Sequence, residues 1–427
     1  MLLSNLVYSE VTIEIKKKNH NLPYILVTPF VWNGDVILPE DIVQIIENDL
    51  NLSCRFKIFD SSNYFAKIAT EKLADESNYL LLHNIAFKIS GEIILINNIY
   101  HISYKLFDVA KKQYILEDKI VSSAYNLRNT SHQMSDNIFN KITGIKGDFL
   151  TKILYVKHSI KNNINIYQLC CADADGYNTE VLFSSKQPII SPCWSPDGKQ
   201  IAYVSFEDNK SKIYIHNLET GHRSIIINSK GIQSSPDWSP NGESIALVAS
   251  NGNDPNIYII DLTTKRLSQI TYGLSISSEP SWMPDGKSLL FTSSRGNGVH
   301  IYQAFVEKQA NGRFNVNGGY KQITNDGLLN ARARPFPDGK HIVLINKQEN
   351  QKDFNIAILN LENQKTKIIS TSTYEDSPSV SKNGQRILFS TNQQKNEILK
   401  ISSINGNVKN YISIKDINCR EVTWRPY

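Results

Sequence analysis

The chain has 427 residues, 41% of them hydrophobic and 20% charged, the make-up of an ordinary globular protein with room for more than one packed core. Its 46 basic and 41 acidic residues leave a net charge of +5, spread thinly apart from Lys16-Lys17-Lys18, which argues against nucleic acid as a partner. No stretch approaches the roughly 18 apolar residues of a membrane-spanning helix, and Cys54, Cys170, Cys171, Cys193 and Cys419 show neither metal spacing nor an even disulfide set.

Residues 1–9 read as the tail of a secretory signal, with Val7 and Ser9 placed for a cut before Glu10; an unprocessed cytosolic N-terminus is the alternative. Residues 10–18 alternate apolar and polar as a half-buried strand does, and 24–30 form a more continuous apolar strand. Pro39 suits the first turn of a helix carrying Ile42, Ile45, Ile46 and Leu50. A short strand is expected over 56–59. A helix over 64–74 would carry Phe65, Ile68, Ala69 and Leu73 on one face, and strands follow at 79–89, 93–107 and 113–121. A helix over 131–143 turns Met134, Ile138, Phe139 and Ile142 inward and stops at Gly144. The mixed order predicts an N-terminal α/β (α+β) domain over 10–148 and a boundary in Thr-Gly-Ile-Lys-Gly-Asp-Phe, 143–149.

From Ile153 only short strands remain, in triplets that begin with 153–156, 164–169 and 180–183. Cys170 and Cys171 fall on one of them and point to opposite faces as core residues. Between the triplets a motif recurs: Ser-Pro-Cys-Trp-Ser-Pro-Asp-Gly at 191–198, then versions at 235–242, 279–286, 334–339 and 377–384. The chain closes on Val-Thr-Trp-Arg-Pro-Tyr, 422–427. The column Trp194, Trp238, Trp282, Pro335, Val380, Trp424 has intervals of 44, 44, 53, 45 and 44, with the excess explained by an insertion near 306–318. A period of about 40–45 residues with four strands per unit predicts a six-bladed β-propeller over 149–427. The series starts with a triplet and ends with a Pro-x-Trp-type strand, so the C-terminal strand is expected to complete the first blade and close the ring.

Proline lacks an N–H and fits the start of the strand nearest the propeller axis. The tryptophan two residues on belongs in blade-to-blade packing. The aspartates of Pro-Asp-Gly serve the turn, since Asn241 and Asn383 replace them without disturbing the period. The residues just before the proline column, Ser191, Ser235, Glu279, Arg332, Ser377 and Glu421, then ring one mouth of the tunnel. Ile190, Gln233, Ser234, Ser278, Asp376 and Arg420 lie nearby. The ring is read either as a binding rim or as a hydrated edge. Catalytic signatures are absent. There is no Gly-x-Ser-x-Gly elbow or His-Glu-x-x-His helix, Gly286-Lys287-Ser288 lacks the first glycine of a phosphate loop, and 173–176 lacks the other ligands of a calcium loop. No cofactor or metal is expected.

With these repeats in view, the chain resembles the TolB family, the periplasmic propeller proteins of the Tol-Pal envelope system of Gram-negative bacteria. The resemblance runs from Glu-Val-Thr-Ile-Glu-Ile at 10–15 to the terminal Trp-Arg-Pro-Tyr. Its most selective segments are 142–149, Asp-Ala-Asp-Gly-Tyr-Asn at 173–178, 188–198 and 278–286. It implies a non-enzymatic, monomeric periplasmic scaffold that binds the lipoprotein Pal at the propeller mouth and TolA through the mature N-terminus. It also implies roles in outer-membrane integrity, constriction at division and colicin uptake. On that basis the Pal-side candidates are Ile190, Ser191, Gln233, Ser234, Ser278, Glu279, Arg332, Asp376 and Glu421. The TolA-side candidates are Glu10, Val11, Thr12, Ile13, Glu14 and Ile15. Two other readings stand beside it: the gating propeller of a prolyl-peptidase-like hydrolase, which would need a separate hydrolase domain, and a cytosolic interaction propeller.

Overall fold

The computed structural model describes residues 22–60, 62, 64, 76–227, 231–250, 254–349, 353–370, 374–393, 396–412, 414 and 418–425. The strand expected at 10–18, and the helix expected at 64–74 apart from the buried Tyr64, lie outside these residues.

The N-terminal domain is a mixed sheet. Its strands are β1 (Tyr24–Val27), β2 (Val31–Trp32), β3 (Lys57–Ile58), β4 (Ile85–Ile96), β5 (Ile99–Asp108) and β6 (Gln113–Ser123). The order is β3-β1-β4-β5-β6, with β2 pairing on β4. Helices α1 (Ile42–Leu52) and α3 (Leu127–Thr143) cover one face, where Ile42, Ile46, Leu50, Met134, Ile138 and Phe139 meet Ile89, Ile102 and Tyr104. The short α2 (Glu76–Leu82) packs Tyr79 and Leu80 against Leu26 and Ile85.

Three expectations are corrected here. The strand read from residue 79 begins only at Ile85, because 79–82 belong to α2; four consecutive apolar residues carry no period that separates helix from strand. The strand read over 93–107 is two strands, broken at Asn97-Asn98. Both asparagines are left-handed, at φ 51° and 62°, in a two-residue hairpin that asparagine makes tolerable. Pro39 precedes α1 rather than starting it: Asp41 is the N-cap and its Oδ1 accepts the Gln44 N–H at 3.0 Å. At the other end of the domain α3 begins at Leu127, four residues earlier than read, and stops as expected at left-handed Gly144, φ 72°.

Six four-stranded antiparallel sheets follow, one per blade. The last strand, Cys419–Trp424, pairs with Lys152–Lys161 in the register Trp424↔Ile153, so the ring closes on blade 1. The apolar clusters sit between blades rather than within them. Trp194 of blade 2 packs with Leu154, Val156 and Leu169 of blade 1, and Trp424 of blade 1 packs with Leu388 and Ile401 of blade 6. Cys170 and Cys171 enter different clusters, as their alternation requires. The extra residues of blade 4 lengthen its outer hairpin, His300–Lys308 and Phe314–Gln322. There Phe314 meets Trp282 edge-on and Lys308 pairs with Glu243 and Asp261 of blade 3.

The domains meet through apolar and polar contacts. Leu52 and Cys54 join the cluster around Trp424, whose Nε1 donates to Thr151 Oγ1 at 2.8 Å, while Arg386 of blade 6 pairs with Asp148. No helix among the described residues is long and apolar enough to cross a membrane.

Candidate functional site

The inner strand of every blade carries a β-bulge at its start. In blade 2 the ladder runs Ile190↔Val204 and then Cys193↔Ala202, one residue more on the inner strand than on its partner, and the same slip recurs in the other five blades. The bulged residue is left-handed each time: Ser191 (φ 51°), Ser235 (47°), Glu279 (53°), Arg332 (52°), Ser377 (51°) and Glu421 (53°). None is glycine, so each costs roughly 1–2 kcal/mol of backbone strain. These are the residues that the sequence placed before the proline column. Together with the prolines and tryptophans that follow, they line a cavity of about 370 Å3 along the propeller axis.

Side chains of the ring compensate the bulges. Glu421 Oε2 accepts the Ser191 N–H at 2.9 Å, Glu279 Oε2 accepts the Arg332 N–H at 3.0 Å, and Asp376 Oδ1 accepts the Ser377 N–H at 2.7 Å. Arg332 is the hub. Its Nε lies 2.9 Å from Glu279 Oε1, and its Nη1 lies 3.0 Å from Asp376 Oδ1 and 3.6 Å from Glu421 Oε1. Burial works against the guanidinium charge, but Glu421, Asp376 and Glu279 together hold it above the ordinary arginine range. Burial pushes the Asp376 carboxyl up, and Arg332 opposes this only in part. Three carboxylates surround the Arg332 guanidinium, and Arg334 and Lys382 line the same cavity, so the mouth carries charges of both signs.

Glu279, Arg332, Asp376, Glu421 and Ser191 are thus brought together, with Ile190, Ser234 and Ser278 half-buried one step outside. Gln233 is corrected. It pairs with Ala249 in the register of Ile189 and Ser277, not of Ile190 and Ser278, and a one-residue offset turns the side chain to the other face. It is 0% exposed, its Nε2 donating to Ile227 O at 3.1 Å, and is part of the support beneath the rim. The candidates Glu10 to Ile15 lie outside the described residues.

Two features escaped the sequence reading. The loops that enter the inner strands expose apolar side chains around the mouth: beside Ile232, which stands out in the sequence as apolar in a loop, these are Tyr272, Leu274 (92% exposed), Ile276, Leu328 and Tyr374. Their signal is an apolar residue in a Gly- and Ser-flanked connection, as in Tyr-Gly-Leu-Ser-Ile-Ser, 272–277. Second, the residue after the proline column staples neighbouring blades. Asp237 Oδ2 accepts the Trp282 N–H at 2.8 Å, and Ser379 Oγ accepts the Trp424 N–H at 2.9 Å. Away from the mouth, Asp49, His132 and Asp175 lie close together, but His132 Nδ1 is held by Asp49 and Asp175 by Arg128, a charge-paired contact between the domains.

Comparison with known proteins accounts for both halves of the chain. The TolB amino-terminal domain model matches residues 11–115 and the TolB beta propeller domain model matches 139–427. The Tol-Pal system protein TolB of Pseudomonas aeruginosa is 44% identical over 406 residues, covering 94% of this chain and 91% of that protein. The protein of the same name from Hamiltonella defensa is 42% identical over 428 residues, covering 100% and 97%. The crystal structure of TolB from Acinetobacter baumannii superimposes with a TM-score of 0.82 at 31% identity, covering 95% of this chain and 97% of that one. With a matching N-terminal domain, a closed six-bladed propeller and relatives similar along almost their whole length, the chain belongs to the TolB family of Tol-Pal system proteins.

Proposed function

We propose that the chain is a non-catalytic periplasmic scaffold of the Tol-Pal system, binding the lipoprotein Pal at the propeller mouth and the C-terminal domain of TolA through residues 10–15. The observation that carries this reading is the mouth itself, a half-buried charged ring inside a rim of exposed apolar side chains. An exposed apolar patch with polar groups at fixed positions is the usual make-up of a protein-docking surface. The alternation of Glu10 to Ile15 suits addition of an edge strand to a partner sheet, where main-chain bonds supply affinity.

Titration calorimetry against Pal and the TolA C-terminal domain of the same organism tests both arms. Glu279→Lys reverses a charge that holds Arg332, and Leu274→Ser removes the most exposed rim side chain; each is expected to weaken Pal binding by about tenfold or more. Deleting residues 10–15 should abolish TolA binding and leave Pal binding intact. Wild-type affinity for Pal in both point variants would remove the mouth from consideration.

A further inference from the structure

The turn at 173–178 of blade 1 meets helix α3 of the N-terminal domain at the domain interface. Arg128 of α3 bonds Asp175, lies 3.2 Å from Asp173, and stacks over Tyr177 with the guanidinium carbon 4.5 Å from the ring centroid. One helical turn on, His132 is 1% exposed. Its Nδ1 is 2.8 Å from Asp49 Oδ2 of α1, while its Nε2 is buried without a hydrogen-bond partner. Asp49, His132 and Asp175 each present a polar atom within 4.8 Å of the other two. The imidazole therefore stands between a carboxylate of its own domain and one of the propeller.

With His132 neutral, Glu40, Asp173 and Asp175 share the charges of Arg128 and Lys152, and the buried Asp49 has no cationic partner among the described residues. With His132 protonated, Asp49 gains that partner. A buried uncompensated charge is costly, whereas a paired one is tolerated.

We propose that His132 is a proton-operated latch between the N-terminal domain and the propeller, closed while its imidazolium is held between Asp49 and Asp175 and loosened when the proton leaves.

Charged groups from every neighbouring element bear on it. Asp49 comes from α1, Arg128 and Asp136 from α3, Asp173 and Asp175 from the turn of blade 1, and Lys152 from the first strand of that blade. Glu40 reaches Arg128 from the segment before α1, at 3.5 Å. Burial lowers the proton affinity of His132 and Arg128 adds to that, but Asp49 and Asp175 outweigh them and hold it above the ordinary histidine range. A histidine raised in the folded state contributes stability that is fully present below about pH 6.5 and is lost as pH climbs through the folded value. The inter-domain contacts Arg386–Asp148 and Asn383–Lys146 involve no histidine, so the loosening is local to α1, α3 and 173–178.

Amide hydrogen exchange on the full chain, corrected for intrinsic rates, reads this directly. From about pH 6 to about pH 8.5, protection of α3 and of 173–178 is expected to fall roughly tenfold, while the blade 3 strand Ser244–Ala249 stays constant. His132→Gln should flatten that dependence. An identical slope in wild type and variant, or no slope in wild type, overturns the latch. Asp136 is present in both chains, so its own titration cancels. If His132→Gln does not fold, NMR titration of the His132 ring in the wild-type chain and in Asp175→Asn decides. A midpoint above about 6.5 that drops in Asp175→Asn supports the latch, and a midpoint at or below about 6.5, or one unmoved by that substitution, overturns it.

Discussion

Arg332 shows how much one side chain can be asked to do. It occupies a left-handed bulge, its N–H is bonded by Glu279, and its guanidinium holds three carboxylates contributed by blades 4, 6 and 1. Breaking a buried ion pair by removing one partner is far more costly than the pair's own net stabilisation, because the remaining charges stay behind in a poorly hydrated place. Arg332→Gln is expected to destabilise the chain by about 1–3 kcal/mol, reduced from the fully buried figure because the mouth is partly hydrated. Millimolar calcium should recover part of that loss in the variant, by supplying charge to Glu279, Asp376 and Glu421, and should leave the wild type unchanged. Thermal melts with and without calcium check both statements; equal shifts in the two proteins would contradict them. The six bulged residues could be named from the sequence, because each sits at a constant offset from a repeated proline column. Their left-handed backbone was not legible, since serine, glutamate and arginine give no local sign of positive φ.

At the level of elements, ring closure depends on one six-residue strand. Cys419, Val422 and Trp424 all enter the apolar cluster that joins blade 1 to blade 6 and to α1. Trp424 is also bonded through its backbone N–H to Ser379 and through its indole to Thr151. Trp424→Ala therefore removes a large buried side chain and its bond to Thr151, and is expected to cost about 3–5 kcal/mol in urea denaturation. Removing residues 419–427 goes further. It leaves Lys152–Lys161 as an open edge, and the truncated chain is expected to aggregate rather than unfold cooperatively. A truncated chain that melts like the wild type would show that the closing strand is dispensable. This closure was readable in the order of the motifs. The helix at 76–82 was not, because a short apolar run satisfies helix and strand equally until neighbouring elements choose.

On the scale of the whole molecule, the two domains are joined by buried charges, which makes their association sensitive to pH. Asp136 of α3 accepts the Phe149 N–H at 2.8 Å beneath the inter-domain segment, and burial, aided by Asp148 and Asp49, raises its carboxyl to about 6. An acid raised in the folded state binds a proton there at pH values where the unfolded chain has already lost it. Stability therefore falls as pH climbs from about 4 to about 6, and the cost persists above that range. Asp136→Asn keeps the acceptor and removes the charge. It is expected to stabilise the chain by about 1–3 kcal/mol near neutral pH and by nothing below about pH 4. Denaturation series at the two pH values test this, and an equal effect at both would rule out the titration.

The repeat, the number of blades, the closing strand and the six bulged residues of the mouth were determined by sequence alone. Each of these depends on signals local to one 44-residue unit, such as a proline that needs an edge, a glycine that needs a turn and strands of period two. Only the tertiary structure decided which of those residues act together. The partners of Arg332 lie 53, 44 and 89 residues away, the staple from Asp237 reaches 45 residues to Trp282, and Gln233 faces inward because of a register that its own strand does not specify. The contact between Arg128, His132 and the Asp173–Asn178 turn belongs to the same class. Charges so far apart in the chain acquire their pairing, and their altered proton affinity, only where folding removes the water between them.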